Sequence, residues 1–156
     1  MICCKMKRLS FLLSTLGLVI MVGTTAFAAP NCVVGSVQQV EGLATIIRQG
    51  REISARVGSE LHEKDMLQTG PEGSIGVVLN DDTVLSLGPR SALVIDEFVF
   101  APERGRFSII VKMLKGTAAY LSGLISKLSP GSARFETPSA SIGIRGTRFL
   151  VKVKDT

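Results

Sequence analysis

The chain has 156 residues, one domain's worth, with 18 basic and 13 acidic residues for a formal net charge of +5. Three basic and no acidic residues fall in the first 28 positions, so the remainder, fifteen basic against thirteen acidic, is only +2. Those basic residues are scattered, there is no Trp and only one Tyr, so the basic stripe interleaved with aromatics that marks a nucleic-acid binder is missing and no nucleic-acid partner is expected.

Lys5, Lys7 and Arg8 precede an uncharged apolar run over residues 9–22, and the segment closes on Ala26-Phe27-Ala28. A basic start, an apolar centre and an A-x-A site make residues 1–28 a secretory signal peptide with cleavage after Ala28. The alternative is an uncleaved inner-membrane anchor over residues 9–29, since about 20 apolar residues span a bilayer. Either way the working domain lies outside the cytoplasm, periplasmic or otherwise exported, with residues 29–34 as a lead-in and 35–156 as the domain. Cys3 and Cys4 leave with the leader, so no disulfide framework is expected and Cys32 is read as a free or intermolecularly paired thiol. Ala29-Pro30-Asn31 lacks the Leu-x-small pattern that precedes a lipidated cysteine.

Beyond the leader, a two-residue period recurs. Ile53, Ala55 and Val57 alternate with polar residues, Ile75, Val77 and Leu79 share one face, as do Phe107, Ile109, Val111 and Met113, and then Phe149, Val151 and Val153. Gly and Pro punctuate these Val-, Ile- and Phe-rich runs, which predicts an all-β domain of short strands, β-solenoid-like or sandwich/jelly-roll-like. A loose echo over residues 73–95, 105–121 and 131–153 leans towards stacked coils. One short helix is expected over residues 118–128, where Leu121, Leu124, Ile125 and Leu128 fall at three- and four-residue spacing.

Three motifs occur in order. The first runs Gly35-Ser36-Val37, Glu41-Gly42, Arg48-Gln49-Gly50 and Val57-Gly58. The second runs Leu61, Lys64-Asp65 and Gln68-Thr69-Gly70, then the turn Asp81-Asp82-Thr83. The third is Phe135-Glu136-Thr137-Pro138 followed by Gly143-Ile144-Arg145-Gly146-Thr147 and Phe149. In this order they resemble the FecR domain family over almost the whole exported part. The resemblance implies an extracytoplasmic binding or sensing module of the bacterial cell envelope, whose best-known relatives signal to a cytoplasmic sigma factor. Only eight residues precede Leu9, so a stand-alone version without that cytoplasmic part is expected, with an envelope protein or glycan as its partner. Asp82 stands where the family more often has Gly, but Asp tolerates a left-handed turn position. Thr69-Gly70 and Gly146-Thr147 are read as turns that accept positive φ.

Catalytic chemistry has few candidates. His62, the single histidine, is read as a surface residue without triad or metal partners, and Cys32 has no base near it in sequence. Asp81-Asp82 and Asp96-Glu97 lack the graded spacing of a Ca²⁺ loop. No enzyme activity, metal or cofactor is expected. Asp65, Thr69, Gly70, Asp81 and Asp82 are assigned to turns. Gly143, Arg145, Gly146, Thr147 and Arg148 form the most specific motif. Its structural reading has Arg145 pairing with backbone carbonyls or an acid such as Glu136, and its functional reading has both arginines gripping an anion. Phe98-Val99-Phe100-Ala101 is read as a core strand, with a docking edge as the other possibility. A self-assembling structural protein that uses exposed strand edges is the alternative of a different class.

Overall fold

A computed structural model describes residues 32–146 and 148–154. Twelve strands are formed: β1 (Val33–Glu41), β2 (Ala44–Arg48), β3 (Arg51–Ser54), β4 (Glu60–His62), β5 (Met66–Thr69), β6 (Ser74–Leu79), β7 (Val84–Leu87), β8 (Ala92–Ala101), β9 (Arg106–Leu121), β10 (Ala133–Thr137), β11 (Ala140–Gly143) and β12 (Arg148–Val153). A 3₁₀ turn at Pro102–Arg104 joins β8 to β9, and one helix, α1 (Leu124–Leu128), follows β9. The fold is all-β with one short helix.

The strands form one curled sheet in two halves that share β9. The Gly116–Leu121 half of β9 pairs antiparallel with β7 and β12, which completes the order β4-β1-β6-β7-β9-β12. The Arg106–Lys115 half pairs antiparallel with β8 and parallel with β10, which gives β3-β2-β5-β8-β9-β10-β11. β9 bends between the halves at Gly116, where φ is +91°. A side chain there would be strained by that φ, and its Cβ would sit 2.7 Å from the Arg90 carbonyl oxygen. The Ser91 hydroxyl fixes the bend by accepting a 2.9 Å hydrogen bond from the Thr117 amide.

Period-two alternation puts one face of each half inside. Ile75, Val77 and Leu79 of β6 and Ile109, Val111 and Met113 of β9 are all buried, and they join a single apolar cluster drawn from both halves. Tyr120, Phe135 and Phe149 close one end of it. Tyr120 and Phe149 stack with centroids 5.1 Å apart, and Phe135 meets both rings edge-on.

Several expectations change. Residues 118–121 are strand rather than helix: Ala118 and Tyr120 are buried and the segment is paired on both edges, so α1 begins only at Leu124. Of the alternating set on the third strand, only Ala55 is buried, because β3 is an edge with all four residues exposed. The three glycine-led stretches are not equivalent coils, since residues 73–95 hold three strands and residues 105–121 a single one. Phe98 and Phe100 pack against the core from β8. Cys32, just before β1 and expected to be a free or intermolecularly paired thiol, is disulfide-bonded. The leader and anchor readings of residues 1–28 and 9–29 fall outside the described residues. Among the described residues, no helix is long and apolar enough to cross a membrane.

Candidate functional site

Of the turn residues singled out in the sequence, Asp65, Thr69 and Asp81 are buried and occupied by structural hydrogen bonds, whereas Asp82 is exposed. Asp65 is fully buried at the end of the β4–β5 turn. Its carboxylate accepts the His62 amide at 2.8 Å and two hydrogen bonds from the Arg48 guanidinium of β2, at 2.9 and 2.8 Å. Hydrogen bonding to Asp65 raises the Arg48 pKa above its already high ordinary value. Sequence reasoning named Arg48 only as part of a motif, and the signal was a lone cation in an apolar strand. Thr69 is buried, donating to the Gly88 carbonyl at 2.7 Å and accepting the Ser91 amide at 2.9 Å. Gly70 does not have positive φ, contrary to expectation. Its small size matters instead, since a Cβ there would lie 3.1 Å from that of Leu43.

Asp81 joins the β6–β7 turn to α1. Its carboxylate accepts the Thr83 amide (3.1 Å), the Thr83 hydroxyl (2.8 Å) and the Ile125 amide (3.3 Å), while its carbonyl accepts the Leu124 amide at 2.6 Å. Asp82 occupies the left-handed region at φ +64°. Buried nearby, the Tyr120 hydroxyl has no hydrogen-bond partner among the described residues, and the Thr83 hydroxyl bonds Asp81 and the Gly123 amide instead. Burial pushes the Tyr120 pKa up to about 12.

His62 is a correction. It is 9 % exposed rather than on the surface, drawn in where β4 pairs with β1 opposite Val33. Its Nδ1 lies 3.9 Å from the Asp65 carboxylate and makes no hydrogen bond. Asp96 is held between Lys64 and Lys112, each 2.7 Å away, and Lys112 also reaches Glu136 at 3.7 Å. The Lys112 and then the Lys64 hydrogen bonds keep the Asp96 carboxyl below the ordinary carboxylate range. No group of three His, Cys, Asp or Glu is placed to hold a metal among the described residues.

The glycine–arginine motif lies at the surface between β11 and β12. Gly143, Arg145, Gly146 and Arg148 are exposed, Gly146 has φ +64°, and Thr147 is outside the described residues. Ile144, not singled out by sequence, is the anchor: it is buried, and its amide donates to the Ala133 carbonyl at 3.0 Å. Glu136 faces Lys112 rather than Arg145.

An open cleft of about 910 Å³ lies over the bend of β9. The β10–β11 turn (Thr137–Ala140 in the chain) and the end of β12 form its walls, and Leu114 and Gln68 lie on its floor. Lys115, Lys152 and Lys154 line it, no carboxylate does, and none of the three has an ion pair among the described residues. Ammonium groups beside apolar side chains suit an anion carried on an otherwise apolar chain.

A family model described as FecR protein matches residues 65–156, more than half of the chain. The chain belongs to the FecR family. That match takes in Asp65, Thr69, Asp81, the Gly143–Arg148 motif and every cleft residue, while the opening motif over residues 35–58 lies before it. The FecR family is a regulatory and sensing family associated with the cell envelope. No curated protein and no solved structure matches the chain.

Proposed function

We propose that the chain is a non-enzymatic, extracytoplasmic binding and sensing module of the bacterial cell envelope that engages a partner at the lysine-lined cleft. The observation that carries this reading is the contrast in how polar groups are used. Asp65, Thr69 and Asp81 are consumed in holding turns, whereas Lys115, Lys152 and Lys154 line an open cleft and have no ion pair among the described residues. FecR membership supports a sensing role, and the signal-peptide pattern of residues 1–28 supports export. The partner is an envelope protein or glycan.

The test is capture from envelope extract by the chain and by a Lys115→Gln/Lys154→Gln variant of unchanged melting temperature. A component held by the first and lost by the second supports the reading. Equal capture by both moves the surface elsewhere, towards Arg145 and Arg148, and no capture sinks the reading of a partner-binding module. The alternative, a self-assembling envelope protein, is favoured by the outer edges of β11 and β12, which no described strand pairs. Mass rising with concentration in sedimentation would support it.

A further inference from the structure

Strand β12 pairs with β9 along one edge over all six residues, and no described strand pairs with its other edge. An open edge leaves alternate backbone N–H and C=O groups for water or for another strand. The two faces of β12 differ. Phe149, Val151 and Val153 are half-buried against the core, with Phe149 fixed by its stack on Tyr120. Arg148, Leu150 and Lys152 point the other way, followed in the same phase by Lys154, and all four are exposed. Leu150 is 76 % exposed, the most of any large apolar residue described. Along the open edge the outward face therefore reads basic, apolar, basic, basic.

Charged residues on a free edge guard against indiscriminate strand pairing. The same charges select what is admitted. A second copy of β12, paired antiparallel about Leu150, would set Arg148 against Lys152 twice, and like charges directly opposite one another destabilise a strand pair. An acidic strand meets the reverse situation. We propose that the free edge of β12 receives, by strand addition, an extended peptide segment that alternates acidic and apolar side chains. Carboxylates stand opposite Arg148, Lys152 and Lys154, an apolar side chain covers Leu150, and the segment runs on into the cleft that Lys152 and Lys154 line. Main-chain hydrogen bonds to the edge supply affinity, and the spacing of charges two residues apart, about 7 Å along a strand, supplies specificity. An acidic glycan satisfies the lysines but leaves the backbone edge and Leu150 unused. The proposal rests on the binding-module reading and narrows its partner to a peptide.

The experiment measures, by fluorescence anisotropy, binding of labelled synthetic peptides to the full chain. One peptide alternates Glu with Val and carries Leu at the position facing Leu150. A second has the same composition shuffled, a third has Lys for Glu, and a fourth pair is N-methylated on one or the other backbone edge. The alternating acidic peptide is expected to bind, and one of the two N-methylated forms to lose binding while the other keeps it. Lys152→Glu/Lys154→Glu is expected to weaken the acidic peptide about tenfold or more and to admit the Lys peptide. These side chains point outward, so the variant keeps its fold, which circular dichroism verifies. Equal binding of the shuffled peptide or of both N-methylated forms overturns strand addition in favour of bare charge attraction. Binding of labelled polygalacturonate, with the acidic peptide inert, assigns the cleft to a glycan and overturns the proposal. If no peptide binds while envelope capture persists, the strand-addition proposal fails and the binding-module reading stands.

Discussion

Arg48 and Asp65, 17 residues apart in sequence, meet as a two-pronged ion pair: Nε lies 2.9 Å from one carboxylate oxygen and Nη2 2.8 Å from the other. The same guanidinium donates to the Glu60 carbonyl at 2.8 Å, so one side chain ties β2 to the start of β4 and to the turn that follows it. The carboxylate is fully buried, while Arg48 keeps 24 % of its side chain exposed.

Removing one partner leaves a buried charge unmatched. Arg48→Ala is expected to destabilise the fold by about 3 kcal/mol, towards the lower part of the range because water reaches the guanidinium side. Arg48→Lys recovers only part of this, since an ammonium cannot bond both oxygens in the forked geometry. Urea unfolding of the three proteins checks both statements, and a loss under 1 kcal/mol for Arg48→Ala would refute the first.

Tyr120 is the single tyrosine of the chain, so phenolate absorbance reports it alone. Its pKa of about 12 lies above the ordinary value of 10.0. The folded protein therefore keeps a proton that the unfolded chain gives up. The resulting stability is fully present below pH 10 and is lost as pH rises from there through about 12. The spectroscopic titration is expected to be delayed and to coincide with alkaline unfolding. Because the hydroxyl has no hydrogen-bond partner, Tyr120→Phe should change stability by less than about 1 kcal/mol. Tyr120→Ala should cost about 3–5 kcal/mol through lost packing.

Asp81 ties α1 to the β6–β7 turn: its carboxylate accepts the Thr83 amide and hydroxyl of the turn and the Ile125 amide of α1. Asp81→Ala leaves these buried donors without an acceptor and is expected to cost about 2–4 kcal/mol. Gly123→Ala should be worse, because a Cβ would collide with the Asp81 carbonyl oxygen and the Thr83 amide. Hydrogen exchange would show protection lost first at Leu124 and Ile125 in Asp81→Ala, whereas uniform loss across the sheet would contradict a local role.

Asp96 titrates below its ordinary 3.8 because Lys112 and Lys64 bond its ionised form. A carboxyl with a depressed folded pKa stabilises the fold above its ordinary value. That contribution disappears as pH falls through the folded value. Asp96→Asn should therefore lower stability at neutral pH and above, converge on the unsubstituted protein in acid, and so flatten the acid limb of the stability profile. About 0.5 M salt should shrink the difference, since both lysines are solvent-accessible.

The sequence carried the strands whose burial is one-sided and local. Alternation at Ile75, Val77 and Leu79 and at Ile109, Val111 and Met113 matches the buried faces, and Asp81 to Thr83 form the turn between β6 and β7. It misled where two periods overlap. Leu121, Leu124, Ile125 and Leu128 fit a helix, yet the stretch up to Leu121 is claimed by β7 on one edge and β12 on the other. Pairing across more than thirty residues of chain leaves no mark on local spacing. The cleft was hidden for the same reason: Lys115 sits on β9 and Lys152 on β12, and only the bend at Gly116 gathers them around one hollow. His62 looked polar and loop-like because its neighbours Glu63 and Lys64 are exposed, while the strand it ends turns its ring inward.

The double membership of β9 also sets an order of events. Before β9 is in place, β7 and β8 each lack the neighbour that covers one long edge, and β10, β11 and β12 have no strand on which to assemble. A chain that appears from its N-terminus thus presents about seventy residues of strand-forming sequence, from Val33 to Ala101, before the piece that unites them. Such long-range closure makes folding slow and late. The hazard of such lateness is that a stall before Arg106 leaves adhesive edges exposed.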